Sequence, residues 1–137
     1  MKKIVFIFVL LAATSILSRG QVIVISNQSI KSDSISKSDL RDVFTGAAWS
    51  LRDGSHVTPV LLKQGHTHEE FLAAYLNRSA VALLICWRGQ VMSGQAVMPK
   101  TFDSETIVVE YVAAHAGAIG YISNATPHEG VKVLTVR

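Results

Sequence analysis

Val57-Thr58-Pro59-Val60-Leu61-Leu62-Lys63-Gln64-Gly65-His66-Thr67-His68-Glu69-Glu70-Phe71 is the stretch on which the fold turns. Val57 to Leu62 reads as a central strand, and His68 to Asn77 as the helix that follows it, with Phe71, Leu72, Tyr75 and Leu76 on one face. The first N–H groups of a helix have no partner within it, and its positive dipole end favours an anion. Lys63 adds a mobile positive charge, and Gly65 lets the backbone approach a ligand or take a positive φ. The same residues also serve the chain alone: Thr67 reads as the N-cap, with Glu70 completing a Thr-x-x-Glu capping box. Glu69 and Glu70 already occupy the favourable potential and repel a second negative charge.

Outward from this junction, elements of the two periods alternate. Gln21 to Ser26 is a β-branched run suited to a strand buried on both faces. Ser36 and Asp39 open a helix with Leu40, Val43 and Phe44 on its apolar side, and Gly46 ends it. Arg52-Asp53-Gly54 signals the turn into the central strand. Ser79 caps a further helix whose segment Ala80 to Trp87 is uninterruptedly apolar, which predicts burial nearly all round. Asp103 or Ser104 opens the last helix and Gly117 closes it; Ala118 to Ser123 and Val131 to Val136 are the final strands. Strands alternating with helices predict an α/β layered domain with a mixed, partly parallel sheet. There is no internal repeat and no low-complexity segment.

The 137 residues suffice for one core. Residues 1–20 read as a secretory signal peptide: Lys2 and Lys3, an apolar run from Ile4 to Leu17, then Ser18-Arg19-Gly20. Residues 21–137 form the single domain. The formal charge of +3 comes from 13 basic and 10 acidic residues. Lys2, Lys3 and Arg19 account for three of the 13, so 10 basic residues remain against 10 acidic, and no electrostatic footprint for nucleic acid is left. Cys86 has no partner cysteine in the sequence and reads as a small buried hydrophobe, so stability rests on the packed core. The expected location is periplasmic or extracellular, soluble after signal cleavage.

Other constellations are weaker. His66 and His68, with His56 and Glu69 or Glu70 nearby, could supply metal ligands, but the spacing is not diagnostic, and no metal or other cofactor is expected. His115 falls in the last turn of its helix, where a cation is favoured. Trp49 and Trp87 read as core. No Gly-x-Ser-x-Gly, paired-carboxylate or phosphate-loop motif is present, so an enzyme has no carrier here.

Three stretches taken in order carry a resemblance. They are Ser38-Asp39-Leu40-Arg41-Asp42-Val43-Phe44-Thr45-Gly46 with Trp49 and Asp53-Gly54; Trp87 with Ser93-Gly94 and Pro99; and Val112 with Gly117-Ala118-Ile119-Gly120-Tyr121-Ile122. The chain resembles the second lobe of phosphate-binding proteins of ABC transporters, and more closely the small stand-alone chains grouped with them. The resemblance implies a single-lobe, periplasmic-binding-protein-like αβα sandwich without enzymatic activity, whose partner is a small oxyanion such as phosphate. In that family a loop opening the helix after the central strand grips phosphate with an arginine and a Ser-Gly-Thr group. Here Lys63 stands for the arginine and Gly65, His66 and Thr67 for the triplet. Lysine lacks the two-pronged hydrogen bonding of a guanidinium, and the serine hydroxyl is missing. A membrane transporter or a sensor protein is the implied macromolecular partner. The other reading is a ligand-free periplasmic interaction module that meets a partner protein or a second copy of itself.

Overall fold

The computed structural model describes residues 21–137; the expected signal segment, residues 1–20, lies outside the described residues. The elements are β1 (Val22–Ser26), β2 (Ser34–Ile35), α1 (Lys37–Phe44), β3 (Thr58–Leu62), α2 (His66–Phe71), α3 (Ala80–Met92), β4 (Lys100–Phe102), α4 (Glu105–Ala114), β5 (Ala118–Ser123) and β6 (Lys132–Val136). The strands form one sheet in the order β2-β6-β1-β5-β3-β4. Strand β3 runs parallel to β4 and β5, and β2 parallel to β6, whereas β1 is antiparallel to both β5 and β6. The sheet is mixed, as the alternation of periods predicts.

Strand β5 is central because each of its faces supports a layer. Successive strand residues point to opposite sides. Gly120 leaves room on one side, where an added Cβ would stand 3.0 Å from Val108 and 3.5 Å from Val112 of α4. Tyr121 points to the other side and stacks on Phe71 of α2 at 3.8 Å between centroids, with Phe44 of α1 edge-on to both rings. Helix α4 therefore covers one face and α1 with α2 the other, giving the αβα sandwich. Aromatic pairs of this kind add about 0.5–1.5 kcal/mol each beyond their burial.

Local signals account for most element ends. Ser36, Ser79 and Ser104 each accept a hydrogen bond from an N–H in the first turn of α1, α3 and α4, contacts worth about 1 kcal/mol apiece. Asn27 Nδ2 donates to Val112 O at 2.8 Å and Ala113 O at 3.1 Å, closing the carbonyl end of α4 onto the end of β1. Asp53 ties the segment before β2 to the turn ahead of β3, accepting from Ser32 Oγ at 2.6 Å and Ser55 N–H at 2.7 Å, and these hydrogen bonds lower its pKa to about 2.

Several expectations are corrected. Helix α2 starts at His66, two residues earlier than the periodicity indicates, and its N-cap is Gly65, not Thr67. No capping box forms. Beyond Phe71 the helix widens into a π-helical turn (Leu72–Leu76) that ends at Asn77, whose φ is 49°. The wider turn keeps Phe71 and Leu76, five residues apart, both buried. Helix α3 is not buried all round: Leu83 and Trp87 are buried, but Val81, Ile85 and Met92 are 68%, 62% and 88% exposed. No element among the described residues covers that side. Trp87 is core, its Nε1–H donating to Phe44 O at 2.9 Å, whereas Trp49 is exposed. Cys86 is half-buried on α3, with the Arg78 guanidinium donating to its sulfur.

Candidate functional site

The β3–α2 connection starts inside the sheet and ends in the helix. Lys63 N–H still donates to Phe102 O of β4 at 2.9 Å, while its side chain is exposed. Gly65 then turns the chain at φ 109°, a backbone that side-chain-bearing residues rarely adopt. Glu69 N–H closes the first turn onto Gly65 O at 3.0 Å. Among the described residues, the N–H groups of Gln64, Gly65, His66, Thr67 and His68 meet no acceptor. Such a run of amides at a helix start carries the positive end of the dipole.

The four residues expected at the site follow one another, but their side chains diverge. His66 Nε2 pairs with Glu70 Oε1 at 2.9 Å, one turn along the helix. Thr67 Oγ1 donates to Glu105 Oε2 at 3.1 Å. Glu105 also accepts from Ser123 N–H and, at 3.1 Å, from Thr126 Oγ1, so one carboxylate at the start of α4 fastens α2, the end of β5 and the turn behind it. The groups of the loop left without a partner among the described residues are the Lys63 ammonium and backbone N–H groups. Among the described residues no group of three or more His, Cys, Asp or Glu side chains could hold a metal ion. His66 and His68 lie apart in function: the first pairs at the surface and the second turns inward.

His68, weighed from the sequence only as a possible metal ligand, is instead a buried member of a side-chain pair. It is 7% exposed, and its Nδ1 lies within hydrogen-bonding distance of the Tyr121 hydroxyl. That hydroxyl also accepts from Leu62 N–H at 3.0 Å, which leaves its own proton available to His68 Nδ1. Burial lowers the His68 pKa, against a smaller opposing effect of Glu69, and burial raises that of Tyr121, so burial favours the neutral form of each. Neutral His68 accepting at Nδ1 carries its proton on Nε2. A helical spacing signal was there to read: His68, Phe71 and Leu72 stand at i, i+3, i+4, on the face that packs into the core.

Beside His68 runs a groove of about 460 Å³ between α3 and the edge of the sheet, with Leu62, Leu83, Leu84, Trp87, Met98 and Pro99 in its walls and Lys63 at its border. A second hollow of about 350 Å³ opens on the other side of Trp87, bordered by Trp49 and Val97.

Known structures share this architecture. A phosphate ABC transporter substrate-binding protein of Clostridium perfringens, solved with bound phosphate, superposes with a TM-score of 0.67 at 17% identity. The fold is periplasmic-binding-protein-like. An ABC-type phosphate transport receptor of Vibrio cholerae (TM-score 0.60, 12% identity) and PstS of Borrelia burgdorferi (0.64, 14%) share it. Each match covers 86% of this chain but only 45%, 46% and 47% of the respective neighbour, so the chain spans less than half the length of these proteins. No protein-family model and no curated protein matches the sequence. The periplasmic-binding-protein-like lobe thus stands on its architecture, with the β3–α2 loop at one end of its central parallel strands.

Proposed function

We propose that the chain is an exported, non-enzymatic solute-binding lobe that contacts a small oxyanion such as phosphate through Lys63 and the backbone at Gly65, His66 and Thr67, in the service of a membrane transporter or a sensor protein. The observation that carries this reading is the run of five N–H groups without an acceptor, Gln64 to His68, beside an exposed ammonium. The naming of the structural neighbours as phosphate-binding and phosphate-transport proteins supports the choice of anion. An open lobe leaves the anion in competition with water, and Glu69 repels it, so the expected affinity is weak, with a Kd of about 1 mM, equivalent to roughly 4 kcal/mol. Calorimetry with phosphate and sulfate on the purified protein and on Lys63→Gln tests it. Binding that weakens several-fold in the variant supports the reading, and no heat up to about 10 mM rejects it.

A second reading is favoured by the bare side of α3. Val81, Ile85 and Met92, with Val97 (86% exposed) beyond the helix end, make an apolar surface on a chain that matches less than half the length of its structural neighbours. Exposed apolar surface of this kind, here around the exposed Arg88, marks an interaction site, and a second copy of the chain is the partner it is tested against. Sedimentation of Ile85→Glu against the unsubstituted protein tests this: a dimer converted to monomer supports it, and a monomer in both up to about 0.5 mM rejects it.

A further inference from the structure

We infer that the groove between α3 and the β3–β4 edge is a binding site for an organic carboxylate with an apolar tail, the tail lying against Leu84, Trp87 and Met98 and the carboxylate meeting His68 Nε2–H and the Lys63 ammonium.

The shape comes first. At about 460 Å³ the groove falls within the roughly 300–1,000 Å³ typical of small-molecule sites, and its walls are almost wholly apolar. Trp87 is fixed as its floor by the bond to Phe44 O, and Leu62 by its place in β3. The polar groups are few and come from one region. Lys63 follows β3 directly and His68 sits one turn into α2, so both belong to the same end of the strand; the Thr101 hydroxyl, on β4, is the other polar group of the lining.

His68 gives the site its direction. With the Tyr121 hydroxyl proton given to Nδ1, the tautomer on which this site depends carries its own proton on Nε2. Nε2 has no partner in the protein, and it is not among the polar atoms sealed away from solvent without one, which are Ser26 Oγ and Ser55 Oγ. The side chain is more than nine-tenths buried, and the open space that it borders is the groove. A donor held this way by a second hydrogen bond is oriented before any ligand arrives. With Lys63 lining the same groove, the complementary group is an anion. A strongly hydrated dianion is excluded by apolar walls that offer few donors, whereas a carboxylate has one charge and carries a tail that those walls prefer.

This proposal does not rest on oxyanion binding at the β3–α2 loop, although the two share Lys63. Octanoate, octanol and inorganic phosphate serve as probes, followed by calorimetry and by amide and indole shifts in NMR. Octanoate is expected to bind at least about 10-fold more tightly than octanol, moving Leu62, His68 and the Trp87 indole. His68→Gln and Lys63→Gln are each expected to lower its affinity by about 10-fold. Leu84→Trp, a change on the half-exposed side of α3 that leaves the core packing alone, is expected to fill the groove and abolish octanoate binding while phosphate shifts at Gly65 to Thr67 stay as they are. Equal binding of octanoate and octanol, octanoate binding unaffected by Leu84→Trp, or no binding up to about 10 mM overturns the proposal. Loss of phosphate binding alone, with octanoate intact, counts against the loop reading and leaves the groove standing.

Discussion

The Tyr121 hydroxyl holds two elements together with one oxygen. It accepts from Leu62 N–H at the end of β3 and is hydrogen-bonded to His68 Nδ1 in the first turn of α2, so it fixes the strand-to-helix connection from beneath. Tyr121→Phe keeps the ring stacked on Phe71 but leaves a buried N–H and a buried ring nitrogen without partners. The expected loss of stability is about 1–3 kcal/mol, read by urea denaturation. The same pair sets a pH dependence. Burial holds the folded His68 pKa below the 6.5 of an unperturbed histidine. The unfolded chain therefore takes up a proton that the folded chain refuses, so this contribution is complete above about pH 6.5 and is lost as pH falls from there through the folded value. Stability measured from pH 8 to 5 is expected to decline on the acid side, and His68→Gln is expected to flatten that part of the curve.

At the scale of elements, the decisive joint after α4 is Gly117, which precedes β5 with φ 78° and whose N–H donates to Ser29 Oγ at 2.9 Å. A Cβ there would stand 2.6 Å from the carbonyl oxygen of His56, a backbone atom that cannot swing away. Gly117→Ala is expected to cost about 2 kcal/mol or more, measured as a shift in the denaturation midpoint, because left-handed backbone and overlap act together. Strand β5 was legible from Ala118 to Ser123, whereas Gly117, expected to close α4, lies in the turn beyond a helix that ends at Ala114 with His115 as its C-cap. Helix α2 was less legible. Thr67 with Glu70 has the capping pattern, but Glu105, 38 residues away, takes the Thr67 hydroxyl, and Gly65 starts the helix instead. Helix α3 shows the opposite limit: an apolar run states that a surface prefers to be dry, not that anything in the same chain covers it. The His68–Tyr121 pair spans 53 residues and no local spacing announces it.

For the whole molecule, the sheet order and its two covered faces place α2 and its preceding loop at one end of β3, and the parallel β3–β5 pairing puts the loop at the same end as the Glu105 cluster that closes β5. Fold class was readable from alternating strands and helices, since one sheet layered by helices is the compact solution for that pattern. The loop residues Lys63, Gly65, His66 and Thr67 were readable as one segment, but not the partition within it: His66 and Thr67 spend their side chains on Glu70 and Glu105, and their backbone N–H groups carry what remains. Oxyanion binding at this loop is tested most sharply by a phosphate titration of the isotopically labelled protein followed amide by amide. Saturable shifts are expected at the N–H groups of Gln64 to His68, with midpoints of about 1 mM that rise in Lys63→Gln. Unmoved amides in that segment up to about 10 mM phosphate, or shifts indifferent to Lys63, would contradict such binding.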